Sequence, residues 1–144
     1  MATAVEVLRR SRVVLVGDNT PMRAALRGHL HHYADDTAVV VGEASGGWTA
    51  LREAALKRAD VVVVDVSIPD EASWAFVRRL HLMVPKACII AACPEPHGNV
   101  ARQMKELGVC QLLDRTHVMT ELLPAIWKCT GRYSSLSPIP PVPR

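Results

Sequence analysis

The chain has 144 residues, a single-domain length able to bury one sizeable core, and a formal charge of +3. Its basic clusters are short, Arg9, Arg10 and Arg12 near the start and Arg78-Arg79 further on, and read as solvated faces rather than the concentrated stripe of a nucleic-acid binder. No apolar run is long enough to span a bilayer, Met1 to Arg10 lacks a secretory pattern, and Cys88, Cys93, Cys110 and Cys129 form no C-x-x-C pair, so a reduced, cytoplasmic chain is expected.

Arg12 to Val16 is a β-branched run that predicts a buried strand. Gly17-Asp18-Asn19-Thr20-Pro21 is turn chemistry, with Asn19 or Thr20 as helix cap and Pro21 in the first turn. Met22, Leu26, Leu30 and Tyr33 then fall at helical spacing. Ala38 to Val41 reads as a second strand closed by Gly42, and Trp48 to Arg58 as a second helix. Val61 to Val64 is a third strand. Glu71 to Met83 is a third helix, with Trp74, Val77 and either Leu80 or Leu82 inward, stopped by Pro85. Ala87 to Ala92 is a fourth strand, and Asn99 to Leu107 a short helix with Val100, Met104 and Leu107 on one face, ended by Gly108. Val109 to Leu113 is a fifth strand. His117 to Cys129 is the last helix, with Val118, Leu122 and Ile126 inward and a kink or shortening expected at Pro124. Ser134 to Arg144, with its four prolines, reads as a tail or linker. Cys88 and Cys110 lie in apolar stretches, where a free thiol acts as a small hydrophobe.

Strand and helix alternate five times, and the strands are apolar throughout. That pattern predicts an open, doubly wound α/β fold, a parallel sheet covered on both faces. In such a sheet, ligands bind beyond the carboxyl ends of the strands. Gly17 and Asp18 stand there after the first strand, Asp65 and Ser67 after the third, Cys93 after the fourth, and Asp114 and Arg115 after the fifth. Two carboxylates in one crevice repel unless a cation offsets them. Asp18 and Asp65 with one backbone carbonyl, Ser67 being the third position, compose a weak magnesium site, and Asn19 can lend a further oxygen. A carboxylate beside such a metal can act as a nucleophile. Asp18 and Asp65 can equally be turn formers and helix caps.

The stretches "RVVLVGDNTPMRAALRGHL", "VVVGEASGGWTALREA", "ADVVVVDVSIPD", "IIAACPE" and "ELGVCQLLDR" resemble the receiver domain of bacterial response regulators, especially those that precede LuxR/NarL-type DNA-binding domains. The resemblance covers residues 12–129, leaving 1–11 as an N-terminal extension and 130–144 as a Pro/Ser-rich tail. It implies a flavodoxin-like, five-stranded sheet of order 2-1-3-4-5 and a phosphoryl group donated by a histidine kinase to Asp65, with Mg²⁺ bound nearby. "DVSIP" is similar to the family's D-x-x-M-P. Four helper positions depart from it. One acidic residue of the magnesium pair is Gly17, the Thr or Ser ending the fourth strand is Cys93, the Lys ending the fifth is Arg115, and the aromatic switch residue is Leu112. A thiol is a weak donor, Arg differs from Lys in reach and hydration, and Leu has no polar tip. The resemblance therefore implies an atypical receiver with impaired or absent phosphorylation. It would act as a protein-interaction module rather than an enzyme, partnered by a kinase or output protein, with a homodimer through helix 4, strand 5 and helix 5. The alternative is a working phospho-receiver at the front of a transcriptional regulator.

Other chemistries fit worse. G-D-N-T-P-M after the first strand is neither G-x-G-x-x-G nor a P-loop. An aspartyl phosphatase of the haloacid dehalogenase type wants a second Asp at Ser67, and a cobalamin domain wants D-x-H-x-x-G. His29, His31 and His32 read as dipole-facing residues at a helix end rather than metal ligands. Cys93-Pro94 alone is too little for haem, and Trp48, Trp74 and Trp127 read as packing residues. Nothing after Cys129 can build a helix-turn-helix, so no direct DNA binding is expected of this chain.

Overall fold

In the computed structural model residues 9–131 are described, so the proline-rich tail from 132 and residues 1–8 of the N-terminal extension lie outside them. The elements run β1 (Ser11–Val16), α1 (Thr20–Tyr33), β2 (Ala38–Ala44), α2 (Gly47–Leu56), β3 (Val61–Asp65), α3 (Glu71–Met83), β4 (Cys88–Cys93), α4 (Gly98–Glu106), β5 (Val109–Asp114), a 3-10 turn (Arg115–His117) and α5 (Val118–Thr130). The strands lie in the order β2-β1-β3-β4-β5, every neighbouring pair parallel. β3 is the central strand and ends on Asp65.

Both faces of the sheet are covered, which is why its strands carry almost no polar residues. Alternate side chains face opposite ways. Val13, Leu15, Val63 and Ile90 meet Leu26 and Leu30 of α1 and Leu122 and Ile126 of α5. Val14, Val62 and Ile89 meet Leu51 of α2, Val77 and Leu80 of α3, and Met104 of α4. Burying such a Val, Leu or Ile contributes about 1.5–3 kcal/mol each, so these two layers dominate stability.

Local chemistry sets the element ends. Asn19 caps α1, its Oδ1 accepting from the Met22 N–H at 2.9 Å. Asp70 caps α3 by accepting from Ser73 N–H at 3.0 Å. Gly131, in the left-handed region at φ 81°, closes α5.

Several sequence expectations change. β2 does not stop at Gly42 but runs to Ala44, and a bulge between Val13 and Val14 skips Val41 in the pairing. Gly42 is there for clearance rather than as a stop: a Cβ would run into the Glu53 carboxylate of α2 and crowd Lys57 Cγ at 3.3 Å. Pro124 does not shorten α5, which spans 13 residues and buries Val118, Leu122, Leu123, Ala125, Ile126 and Trp127; packing outweighs one missing backbone donor. Leu80 is buried and Leu82 is 72% exposed. Tyr33 and Trp48 stand out in solvent, and Trp48 is not a packing residue at 75% exposure. Trp127 is buried, and its indole N–H donates to Thr37 Oγ1 at 2.9 Å. Cys110 is exposed rather than buried, being on the edge strand β5.

Candidate functional site

The parallel sheet brings the carboxyl ends of β1, β3, β4 and β5 to one edge. Asp65 pairs in register with Ala92, and Cys93 with Asp114, so Arg115 begins just past the site. Arg115 reaches back across β4's end to Asp65. Its Nε donates to Oδ1 at 2.7 Å and its Nη2 to Oδ2 at 3.0 Å. This is a two-pronged guanidinium–carboxylate pair, the geometry in which Arg binds more strongly than Lys can. The Asp65 side chain is only 4% exposed and that of Arg115 26%. The hydrogen bonds to Asp65 first, then the charges of Asp65 and Asp18, raise the guanidinium above its ordinary value against partial desolvation.

Gly17, buried, lies beside this pair. A Cβ there would stand 3.0 Å from Asp65 Cβ and 3.7 Å from its Oδ2. The carbonyl of Gly17 accepts from the Arg23 guanidinium, which also pairs with Glu43 of β2 at 3.4 Å. Asp18 is exposed. Gly17, Asp18, Asp65 and Ser67 line one open groove of about 330 Å³ between the β1–α1 loop and the start of α3, with Ser45, Gly46 and Asp70. Ser67 and Ile68 are exposed at its rim.

The other altered positions lie elsewhere. Cys93 is fully buried in the layer that packs on α2, α3 and α4, and burial, then the charge of Asp114, pushes its thiol up. Leu112 is half-buried against the same layer. Asp114 is turned to its own loop, accepting from Thr116 N–H at 3.0 Å and Thr116 Oγ1 at 2.8 Å, and those bonds hold its carboxyl below the usual range. The grip of Arg23 on Gly17 and the Ser45-Gly46 wall carried no signal in the sequence, since both depend on how β2 lies beside β1.

These residues do not fit a magnesium ion as they stand. Both Asp65 oxygens are held by Arg115, no carboxylate stands at Gly17, and Asn19 Oδ1 is used in the α1 cap. Among the described residues no group of three or more His, Cys, Asp or Glu side chains is arranged to hold a metal, His29, His31 and His32 included. Among them also, no helix is long and apolar enough to cross a membrane.

No family model matches the chain. In sequence it is 29% identical over 121 residues to a protein-glutamate methylesterase/protein-glutamine glutaminase 2 of Cereibacter sphaeroides, a match covering 83% of the chain and 33% of that protein. The chain spans about a third of the length of the curated relatives it matches. In structure it is similar to a two-component response regulator of the LuxR family from Aurantimonas sp. SI85-9A1, with a TM-score of 0.74 at 23% identity, covering 85% of this chain and 87% of that one. It is also similar to the response regulator domain of Thermotoga maritima CheB, with a TM-score of 0.72 at 21% identity, covering 85% and 98%. The strand order and the helices on both faces agree with these likenesses: the chain has the fold of a response-regulator receiver domain.

Proposed function

We propose that this chain is a receiver domain of two-component type that works through protein contact, with the Arg115–Asp65 pair standing where a phosphoryl group would otherwise act. The observation that carries this reading is the two-pronged pair itself. A carboxylate attacks phosphorus through a free oxygen, and both oxygens of the Asp65 side chain, 4% exposed, are occupied by Arg115. Freeing one means breaking a charge-assisted bond and leaving a buried charge partly unpaired. A strand-end charge pair of this kind holds the site in one arrangement without a phosphodonor. A signalling partner, a kinase or an output protein, would then read a fixed surface. A second copy of the chain would use the α4, β5 and α5 side, a reading supported by the shallow groove that Gln111, Leu113, Thr120, Pro124 and Lys128 line on β5 and α5. The hydrolase activities named for the sequence relatives are not assigned to this chain.

The test is labelling by acetyl phosphate with magnesium, read by intact mass, on the wild type, Asp65→Asn and Arg115→Lys. The wild type is expected to stay unlabelled and Arg115→Lys to gain a phosphoryl group. Stoichiometric labelling of the wild type that Asp65→Asn abolishes would sink this reading. It would favour the second one, a working phospho-receiver, which is supported by the open groove that Asp18, Asp65 and Ser67 share.

A further inference from the structure

Six large apolar side chains stand exposed among the described residues, and five of them lie on one helix pair. Trp48 and Leu56 belong to α2, Leu82 and Met83 to α3, and Ile68 to the loop that leads into α3. Scattered singly, such residues need no explanation, but a set gathered on one face marks a contact surface. The strands are parallel and α2 and α3 both run back along them, so the two helices start at one end of the face and finish at the other.

The seam between α2 and α3 runs through this set. The two helices touch and cover the same layer of the core. Glu53 and Lys57 of α2 stand over Gly42 of β2, so the opposite flank, with Trp48, Arg52 and Ala55 at helical spacing, looks towards α3. On α3, Ala72 and Phe76 line the groove that Ser45 and Gly46 wall just ahead of α2. Met83, seven residues beyond Phe76, shares that flank. With 10 and 13 residues, the two helices are about 15 and 20 Å long, the footprint of a helix of about three to four turns. Charge is divided along the seam. Asp70 and Glu71 stand at the start of α3, and Arg52, Arg79 and Arg58 follow towards the other end. Among the described residues none of these five has an ion-pair partner. Acid at a helix start and base towards its end is ordinary dipole chemistry, which leaves the exposed apolar residues between them to be explained.

We propose that the α2–α3 face docks one amphipathic helix of a signalling partner. The apolar stripe of that helix lies on Trp48, Leu56, Ile68 and Met83, its basic end over Asp70 and Glu71, and its acidic end over Arg58 and Arg79. The backbones of α2 and α3 keep their hydrogen bonds within themselves, so this face offers side chains and no sheet edge, which suits a helix in a groove and not an added strand. Two neighbouring helices leave a seam that a third fills, ridges into grooves. An anionic lipid surface fits worse, because Asp70 and Glu71 repel it. The face is separate from the groove on β5 and α5. This inference deepens the reading of the chain as a contact module and rests on it, but it does not depend on whether Asp65 takes a phosphoryl group.

The probe is a fluorescein-labelled synthetic helix of about four turns, with leucines along one stripe, lysines at one end and glutamates at the other. Its control has the same residues with the leucines scattered round the helix. Fluorescence anisotropy is read on titration with the full chain. Saturable binding of the striped peptide and none of the scattered one is expected. Trp48→Ser combined with Leu56→Glu, both at exposed positions, is expected to weaken binding about tenfold with an unchanged circular dichroism spectrum. Glu71→Lys is expected to weaken it several-fold, and Lys128→Glu, on the groove of β5 and α5, to leave it unchanged. No binding, equal binding of the two peptides, or an affinity indifferent to the Trp48 and Leu56 changes overturns the proposal. So does light scattering that shows the chain dimerising until Leu56 is changed, which makes a second copy the occupant. Sedimentation with phosphatidylserine vesicles that the same variant loses makes it a lipid surface and overturns it too. None of these outcomes alters labelling by acetyl phosphate, so failure here is distinct from failure of the proposed function.

Discussion

Gly17 is in contact with Asp65: a side chain begun at Gly17 would place its Cβ 3.0 Å from Asp65 Cβ. Two departures from the receiver pattern are therefore physically joined. The bare backbone at Gly17 gives Asp65 the room in which it meets Arg115. Gly17→Asp alone is expected to be destabilising by about 1–2 kcal/mol, through crowding and the added like charge. Combined with Arg115→Lys, it is expected to create a magnesium-binding pair, so that millimolar Mg²⁺ raises the melting temperature of the double variant and not of the wild type. A wild type that magnesium stabilises equally would count against the site as described.

Removing the cation should cost more than removing the anion's charge. Arg115→Ala leaves the Asp65 carboxylate, 4% exposed, without its partner. Loss of one partner of a buried pair costs about 3–5 kcal/mol, and the partial exposure of Arg115 reduces the expectation to about 2 kcal/mol. Asp65→Asn keeps an acceptor for Arg115 and is expected to lose about half as much. Urea midpoints of the two variants measure the difference, and equal losses would contradict the pairing.

Gly108 allows no side chain. Its φ is 104°, and a Cβ would stand 2.7 Å from the ring of His81, whose Nδ1 is buried without a hydrogen-bond partner. Backbone strain and crowding each cost about 1–3 kcal/mol, so Gly108→Ala is expected to lose about 3 kcal/mol. The double variant with His81→Ala should recover the crowding part only, and thermal melts separate the two.

Stability should fall on mild acidification. Burial first, and the charge of His32 second, hold His29 below its ordinary value of 6.5. Its Nε2 is buried with no hydrogen-bond partner, and its ring packs on Tyr33 with centroids 4.8 Å apart. A lowered folded value means the unfolded chain takes up the proton first. Its contribution is thus complete above about pH 6.5 and is lost progressively as pH falls towards the folded value. Asp114 adds a second loss at lower pH, since its bonds to Thr116 hold its carboxyl below 3.8. Urea midpoints between about pH 7.5 and 5 should fall for the wild type, and the slope should be shallower in His29→Gln.

The elements were legible where sequence carries its own punctuation. Helix α3 has both ends where they were read, because Asp70 caps it and Val84-Pro85 stops it. The apolar strands and their helices were enough for the sheet and its two covered faces. Long-range matters were less legible. Gly42 looked like a strand end because glycine marks both stops and close approaches, and only the seat of α2 shows which it is. Leu80 and Leu82 differ by two residues, and the face that packs decides between them. Asp65 and Arg115 could each be named from the chain, yet their pairing depends on the registers of β3, β4 and β5 together.

The bond from Trp127 to Thr37 spans 90 positions of the chain. It joins the last helix to the turn between α1 and β2, and the same layer packs Leu122 and Ile126 on Val13, Leu15 and Leu26. During synthesis the first strand and helix therefore leave the ribosome long before the surface that completes their core. Until α5 emerges, the part of that face beside α1 stays open to water, to chaperones and to its own neighbours. A domain that reads as five successive units is, in the order of its making, finished from its last one.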